Sequence, residues 1–191
     1  MAHEEFSRRD FMSAMAGAAA ATWTSASWSE LHAAGAAAAA AAAGQQGAWK
    51  VLTPVQVREL DAVTAQLVPT DNLPGAREAH VVRFMDQSLA TYAKAQKPAF
   101  EAALKKLGEL VAAHFPGQTF FAALGDEEQI TVLKDWERTD GATFNTIHGA
   151  TITGMFSNPE YGGNYGKSGW KLLGFQDQFS WTPPFGWYDR V

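Results

Sequence analysis

The chain has 191 residues, a formal net charge of −5 and no cysteine. The missing thiols exclude disulfides, thiolate-held clusters within this chain and a covalent c-type haem site. The acidic balance argues against a nucleic-acid partner, because phosphate binding requires a basic face.

Residues 1–47 do not read as folded structure. Ser7-Arg8-Arg9-Asp10-Phe11-Met12 stands near the start, a weakly apolar stretch runs from Ala14 to Ala21, and alanine fills Ala36 to Ala43 without a break. A charged start, a mild apolar segment and a small-residue exit are the layout of an export signal. Arg8 and Arg9 ahead of Phe11 point to the twin-arginine type, which carries folded cargo to the periplasm and makes the twin-arginine translocase a partner. The other reading is an unfolded tail with a chance Arg-Arg pair. Gly17, Thr22, Ser25 and Ser27 break the apolar run short of a membrane span. Many Ala-x-Ala sites compete for cleavage. Roughly 140 residues remain for a core, which is enough for one domain.

The body, residues 48–156, reads as helical. Thr53-Pro54-Val55-Gln56 is a capping-box start with proline in the first turn. Val57, Leu60, Val63, Thr64 and Leu67 then share a face, and Pro69 ends the helix. A second helix is predicted from about Ala76 to Ala93, with Val81, Val82, Met85, Leu89 and Tyr92 inward. A third starts near Pro98, carries Phe100, Leu104, Leu107, Leu110, Val111 and His114 in phase, and stops at Pro116-Gly117. Asp126 is placed as the cap of a fourth, with Ile130, Leu133 and Trp136 inward. A fifth covers about Ala142 to Phe156 and is ended by Pro159. No segment alternates with period two for long enough to require a strand. The expected fold is all-α: an irregular bundle of about five helices between a leader and a non-helical arm.

The arm, residues 157–191, is rich in glycine and aromatic side chains. Tyr161, Asn164 and Trp170 are bracketed by Pro159, Gly162, Gly163 and Gly169, so backbone geometry should present them in fixed directions. Phe175, Trp181, Phe185 and Trp187 follow. Such an arm either folds back over the bundle or docks on a partner, since large aromatic rings are common interface anchors. For Trp170 both readings stand: an anchor, or a plug in the domain's own core.

The motifs are similar to those of a known family. Leu52-Thr53-Pro54, Leu67-Val68-Pro69-Thr70-Asp71 and Pro74-Gly75-Ala76-Arg77-Glu78-Ala79 carry part of the likeness. Gly154-Met155-Phe156-Ser157-Asn158-Pro159-Glu160-Tyr161-Gly162-Gly163-Asn164 and Gly169-Trp170-Lys171-Leu172-Leu173-Gly174-Phe175 carry the rest. Over roughly residues 48–176 the chain resembles subunit 3, the small or gamma subunit, of gluconate 2-dehydrogenase-type, membrane-associated sugar dehydrogenases. It departs from that pattern in having Tyr165 after the asparagine, and in the length of its arm beyond Phe175. The resemblance implies a large partner of the glucose–methanol–choline (GMC) type that carries FAD, a cytochrome c subunit with haem c as a further member, and a small subunit that lends its export signal. With such a partner, the loop and arm residues Tyr161, Asn164, Trp170, Phe175, Trp181 and Trp187 are the candidate partner-binding residues.

No chemistry of the chain's own is visible. A flavin site would need a glycine-rich turn after a strand and opening a helix, whereas the Tyr161–Gly166 segment follows a helix. Histidines occur at positions 3, 32, 80, 114 and 148, without the spacing of a metal site. His148, between Phe144 and Ile152, reads either as a core histidine bonded to the loop backbone or as a contact near the flavoprotein's active site. Asp135, Glu137 and Asp140 read as a solvated face. Catalytic, cofactor-binding and metal-binding residues are therefore assigned to none of this chain. Two rivals remain: an enzyme pairing His148 with a carboxylate, and a free-standing periplasmic binding module that uses the aromatic arm for sugars.

Overall fold

The computed structural model describes residues 48–178 and Ser180. The leader with Arg8, Arg9 and Phe11, and the part of the arm with Trp181, Phe185 and Trp187, lie outside the described residues. Among the described residues there are helices and no strand. The helices are α1 (Pro54–Leu67), α2 (Val81–Ala90), α3 (Lys97–His114), α4 (Asp126–Thr139), α5 (Gly141–Phe156) and a short α6 (Ser168–Leu172). None is long and apolar enough to cross a membrane.

α5 sits at the centre. It packs chiefly on α3 and α2, and also meets α1, α4 and α6. Its residues explain this place, because Phe144, Ile147, Ala150, Thr151, Gly154 and Met155 are all buried, and a helix apolar on most sides must be surrounded. Its threonines cost little there. The Thr151 hydroxyl donates to the Ile147 carbonyl at 2.8 Å, and that of Thr153 to Gly149 at 2.8 Å. Gly154 lets α2 come close, since a Cβ there would press on the Phe84 ring at 2.9 Å. Trp136 of α4 is fully buried; its indole N–H donates to Thr143 at 2.8 Å and its ring meets Phe144 edge-on.

The Thr53 cap forms as expected, with Gln56 N–H on the Thr53 hydroxyl and Thr53 N–H on the Gln56 amide oxygen. Four expectations need correction. α2 is shorter than its periodicity predicts, running from Val81 to Ala90 rather than from Ala76 to Ala93. His80 takes a left-handed conformation at φ 55°, and the Ala79 carbonyl accepts from Tyr165 N–H at 3.1 Å. A residue in that conformation cannot continue a right-handed helix. At α4 the cap position belongs to Gly125, whose N–H donates to the Glu128 carboxylate at 2.9 Å, while Asp126 lies in the first turn. Ile130 is not inward but 41% exposed. The arm is also not wholly non-helical, because α6 and two 3-10 turns, Pro159–Tyr161 and Tyr165–Lys167, occupy it.

Two buried carboxylates, neither singled out by the sequence, fasten irregular segments to helices. Asp86 of α2 accepts the backbone N–H groups of Lys50, Val51 and Leu52, each at 2.9 Å. Glu59 of α1 accepts those of Phe121 at 2.8 Å and Ala122 at 3.3 Å. A buried carboxylate is tolerated when several donors converge on it.

Candidate functional site: the glycine loop at the end of the central helix

The last turn of any helix leaves carbonyl groups without helical partners. At α5 the following loop supplies the donors. Ser157 N–H reaches the Thr153 carbonyl at 2.9 Å, Asn164 N–H the Gly154 carbonyl at 2.7 Å, and the Trp170 indole N–H the Phe156 carbonyl at 3.0 Å. The loop thus folds back over the helix end.

Two glycines make this approach possible. A Cβ at Gly163 would overlap the Gly154 carbonyl oxygen, and one at Gly169 the Met155 carbonyl oxygen. These glycines are turned onto α5 and offer no cradle to a phosphate. Asn164 is the staple of the loop. It is fully buried, in a left-handed conformation at φ 47°. Its amide donates to the Ser157 carbonyl at 2.9 Å, and its side-chain oxygen accepts from Gly169 N–H at 2.7 Å and Trp170 N–H at 3.4 Å. Asn164 therefore faces inward, contrary to the expected presentation at the surface.

What the loop does present is apolar. Tyr165, Leu173 and Phe175 are 43%, 48% and 47% exposed. Trp170 is half-buried, with its ring edge-on to Phe175 at 5.2 Å and Lys167 5.7 Å above it. Trp170 is thus a bracket: its N–H closes the helix end and part of its ring stays outside. Tyr161 is half-buried and packs on the core. The Tyr165 ring stacks on His80 at 4.2 Å, nearly parallel, so the turn ahead of α2 and the loop after α5 form one surface. Nothing in the sequence pattern coupled His80 to Tyr165, although two separate motifs adjoin them.

His148 does not bond to the loop. Its half-buried ring lies nearly parallel to that of Phe144 at 5.6 Å, and among the described residues no hydrogen bond joins it to a carboxylate. Burial lowers its pKa against the opposing pull of Glu137, and burial together with Arg83 lowers that of His80. In both cases the unfolded chain binds the proton first as pH drops below about 6.5. Their contribution to stability is therefore complete above that pH and is lost on acidification through the folded-state values. Thermal unfolding should show a lower Tm at pH 5.5 than at 7.5, and His148→Phe should narrow the gap.

The acidic residues around α4 are put to local use. Asp135 receives His114 at 2.8 Å and also Arg138, and these bonds hold its carboxyl below the ordinary range. Asp140 caps α5 through Thr143 N–H. Among the described residues no group of three or more candidate ligands could hold a metal ion. A cleft of about 650 Å³ lies between α1 and α4. Several of its polar side chains are bonded to one another, Arg77 to Asp61 at 2.9 Å and Gln66 to Asp126 and Gln129 at 3.1 and 2.9 Å.

A family model described as gluconate 2-dehydrogenase subunit 3 matches residues 54–177, which takes in all six helices and the glycine loop. No curated protein and no solved structure matches the chain.

Proposed function

Since the chain belongs to the gluconate 2-dehydrogenase subunit 3 family, we propose that it is the small, non-catalytic subunit of a periplasmic sugar, sugar-acid or glycoside dehydrogenase. In this reading a GMC-type flavoprotein holds the FAD and does the chemistry, and a cytochrome c subunit with haem c takes the electrons. The small subunit supplies the twin-arginine signal at Arg8 and Arg9 and steadies the flavoprotein. Both subunits reach the periplasm together and stay at the inner membrane through their partners.

The observation that carries this reading is the face at the glycine loop. Single exposed apolar residues are ordinary, but a cluster of large ones calls for a partner. Tyr165, Leu173 and Phe175 crowd one short stretch, and the hydrogen bonds of Asn164 and Trp170 hold that stretch in one shape. A preformed apolar face loses little entropy on docking.

Cell fractionation tests the reading. Arg8→Lys with Arg9→Lys should leave both this chain and the flavoprotein in the cytoplasm. A flavoprotein still periplasmic would refute the escort role. In the same strain background, Leu173→Asp with Phe175→Asp should weaken recovery of the flavoprotein by at least about 2 kcal/mol, roughly thirtyfold. The Tm of the small subunit should fall far less than flavoprotein recovery, because both side chains are about half exposed and the edge-on contact of Phe175 with Trp170 is the ring pairing lost. Full recovery of the flavoprotein would place its docking face elsewhere.

A further inference from the structure

Lys50 offers a protease an exposed basic side chain in a segment that is neither helix nor strand. Its backbone is another matter. The N–H groups of Lys50, Val51 and Leu52 all end on the Asp86 carboxylate at 2.9 Å, and Asp86 is 3% exposed. The Leu52 side chain is buried in the core, and the Arg83 guanidinium lies 3.6 Å above the Trp49 ring. From Thr53 the capping box takes over. A chain bound in an extended, strand-like cleft offers its own N–H and C=O groups to the cleft. Here three successive donors are already committed to a buried charge, and withdrawing them would leave that charge unpaired.

We propose that Asp86 sets the point at which proteolytic removal of the N-terminal leader stops. Processing falls on bonds ahead of Trp49, and the Lys50–Val51 bond is closed to proteases in the folded protein. The first half of this statement rests on the export reading above; the second rests on the geometry of the Asp86 clamp alone. The side chains of Lys50 and Thr53 are exposed, so the protection comes chiefly from the committed backbone, helped by the burial of Leu52 and the partial burial of Trp49 and Val51 beside the bond. It should therefore follow the free energy of locally opening the segment.

The test uses the small subunit purified with the subunits that accompany it. Trypsin should cut Lys50–Val51 at least about 100-fold more slowly in the native protein than in the same chain unfolded in urea. Asp86→Asn keeps the volume, removes the charge and turns an amide donor toward backbone donors. It should speed the native cut at least about tenfold while circular dichroism still reports a helical body. If that variant does not accumulate, the wild type decides by itself: a native rate within about tenfold of the unfolded rate overturns the proposal. Mass spectrometry of the subunit from the periplasm should give a first residue no later than Trp49, and a start at Lys50 or beyond also overturns it. A chain that still begins at Met1 in the cytoplasm counts against the export reading, and the trypsin rates then decide the clamp independently.

Discussion

Replacing Gly169 with alanine should destabilise the small subunit by about 3 kcal/mol, the upper end of what overpacking a close contact costs. The added methyl would overlap the Met155 carbonyl oxygen, which belongs to the backbone of the central helix. A helix backbone cannot swing aside as a flexible side chain can. The loop must lift instead, and in lifting it gives up the Gly169 N–H bond to Asn164 and the Trp170 indole bond to Phe156. Urea unfolding should show a lower midpoint, and under the docking proposed above recovery of the flavoprotein should fall with it because the apolar face loses its support. Gly108→Ala is the control. That glycine lies inside α3 with no atom within 4 Å of a new Cβ, and alanine there should stabilise by roughly 0.5–1 kcal/mol through helix propensity. Equal and small effects at the two sites would show that the loop does not sit on α5 as described.

Asn164→Ala should cost about 4 kcal/mol. Two separate terms add. The buried Gly169 N–H and Ser157 carbonyl lose their partner, at roughly 1–3 kcal/mol for each group left unpaired. The left-handed backbone at φ 47° is then occupied by alanine, which tolerates it less well by roughly 1–2 kcal/mol. Asn164→Gly separates them, because glycine accepts the conformation but makes no side-chain bond. It should recover about 1 kcal/mol of the loss and no more. If glycine restored wild-type stability, the hydrogen bonds would contribute nothing and backbone conformation alone would explain the asparagine.

The helices were legible where a repeating apolar stripe met a local punctuation mark. Thr53-Pro54, Pro116-Gly117 and Pro159 acted within their own segment, and the bounds they predicted lie close to those observed. α2 was misjudged because its start is decided from far along the chain: Tyr165 takes the Ala79 carbonyl, and no window of sequence around Ala76 contains that information. Ile130 was misjudged because the stripe of α4 is narrower than its apolar count, with Val132, Leu133 and Trp136 sufficient to fill the contact. The special residues of the loop were visible from their type, but their direction was not. An asparagine among glycines can face either way, and only the free carbonyls at the end of α5 show why this one turns inward. Asp86 could have been noticed as a carboxylate beside Met85 and close to Val82 and Leu89, yet the donors it serves lie more than thirty residues earlier.

The position of the central helix also bears on the timing of synthesis. α1 to α4 each need α5 or one another to cover their apolar faces, and α5 is made after all of them. Its open end is closed only when Asn164 and Trp170 have followed. A nascent chain gains its core as the units that complete it emerge, so this one remains without a finished interior until α5, Asn164 and Trp170 have been made. Residues 1–47, by contrast, leave the ribosome before any of the body. Any factor that reads the leader early therefore meets a body still unfolded. Under the export reading proposed above, a translocase that accepts only folded cargo must wait until Asn164 and Trp170 have closed the end of α5 before this chain qualifies.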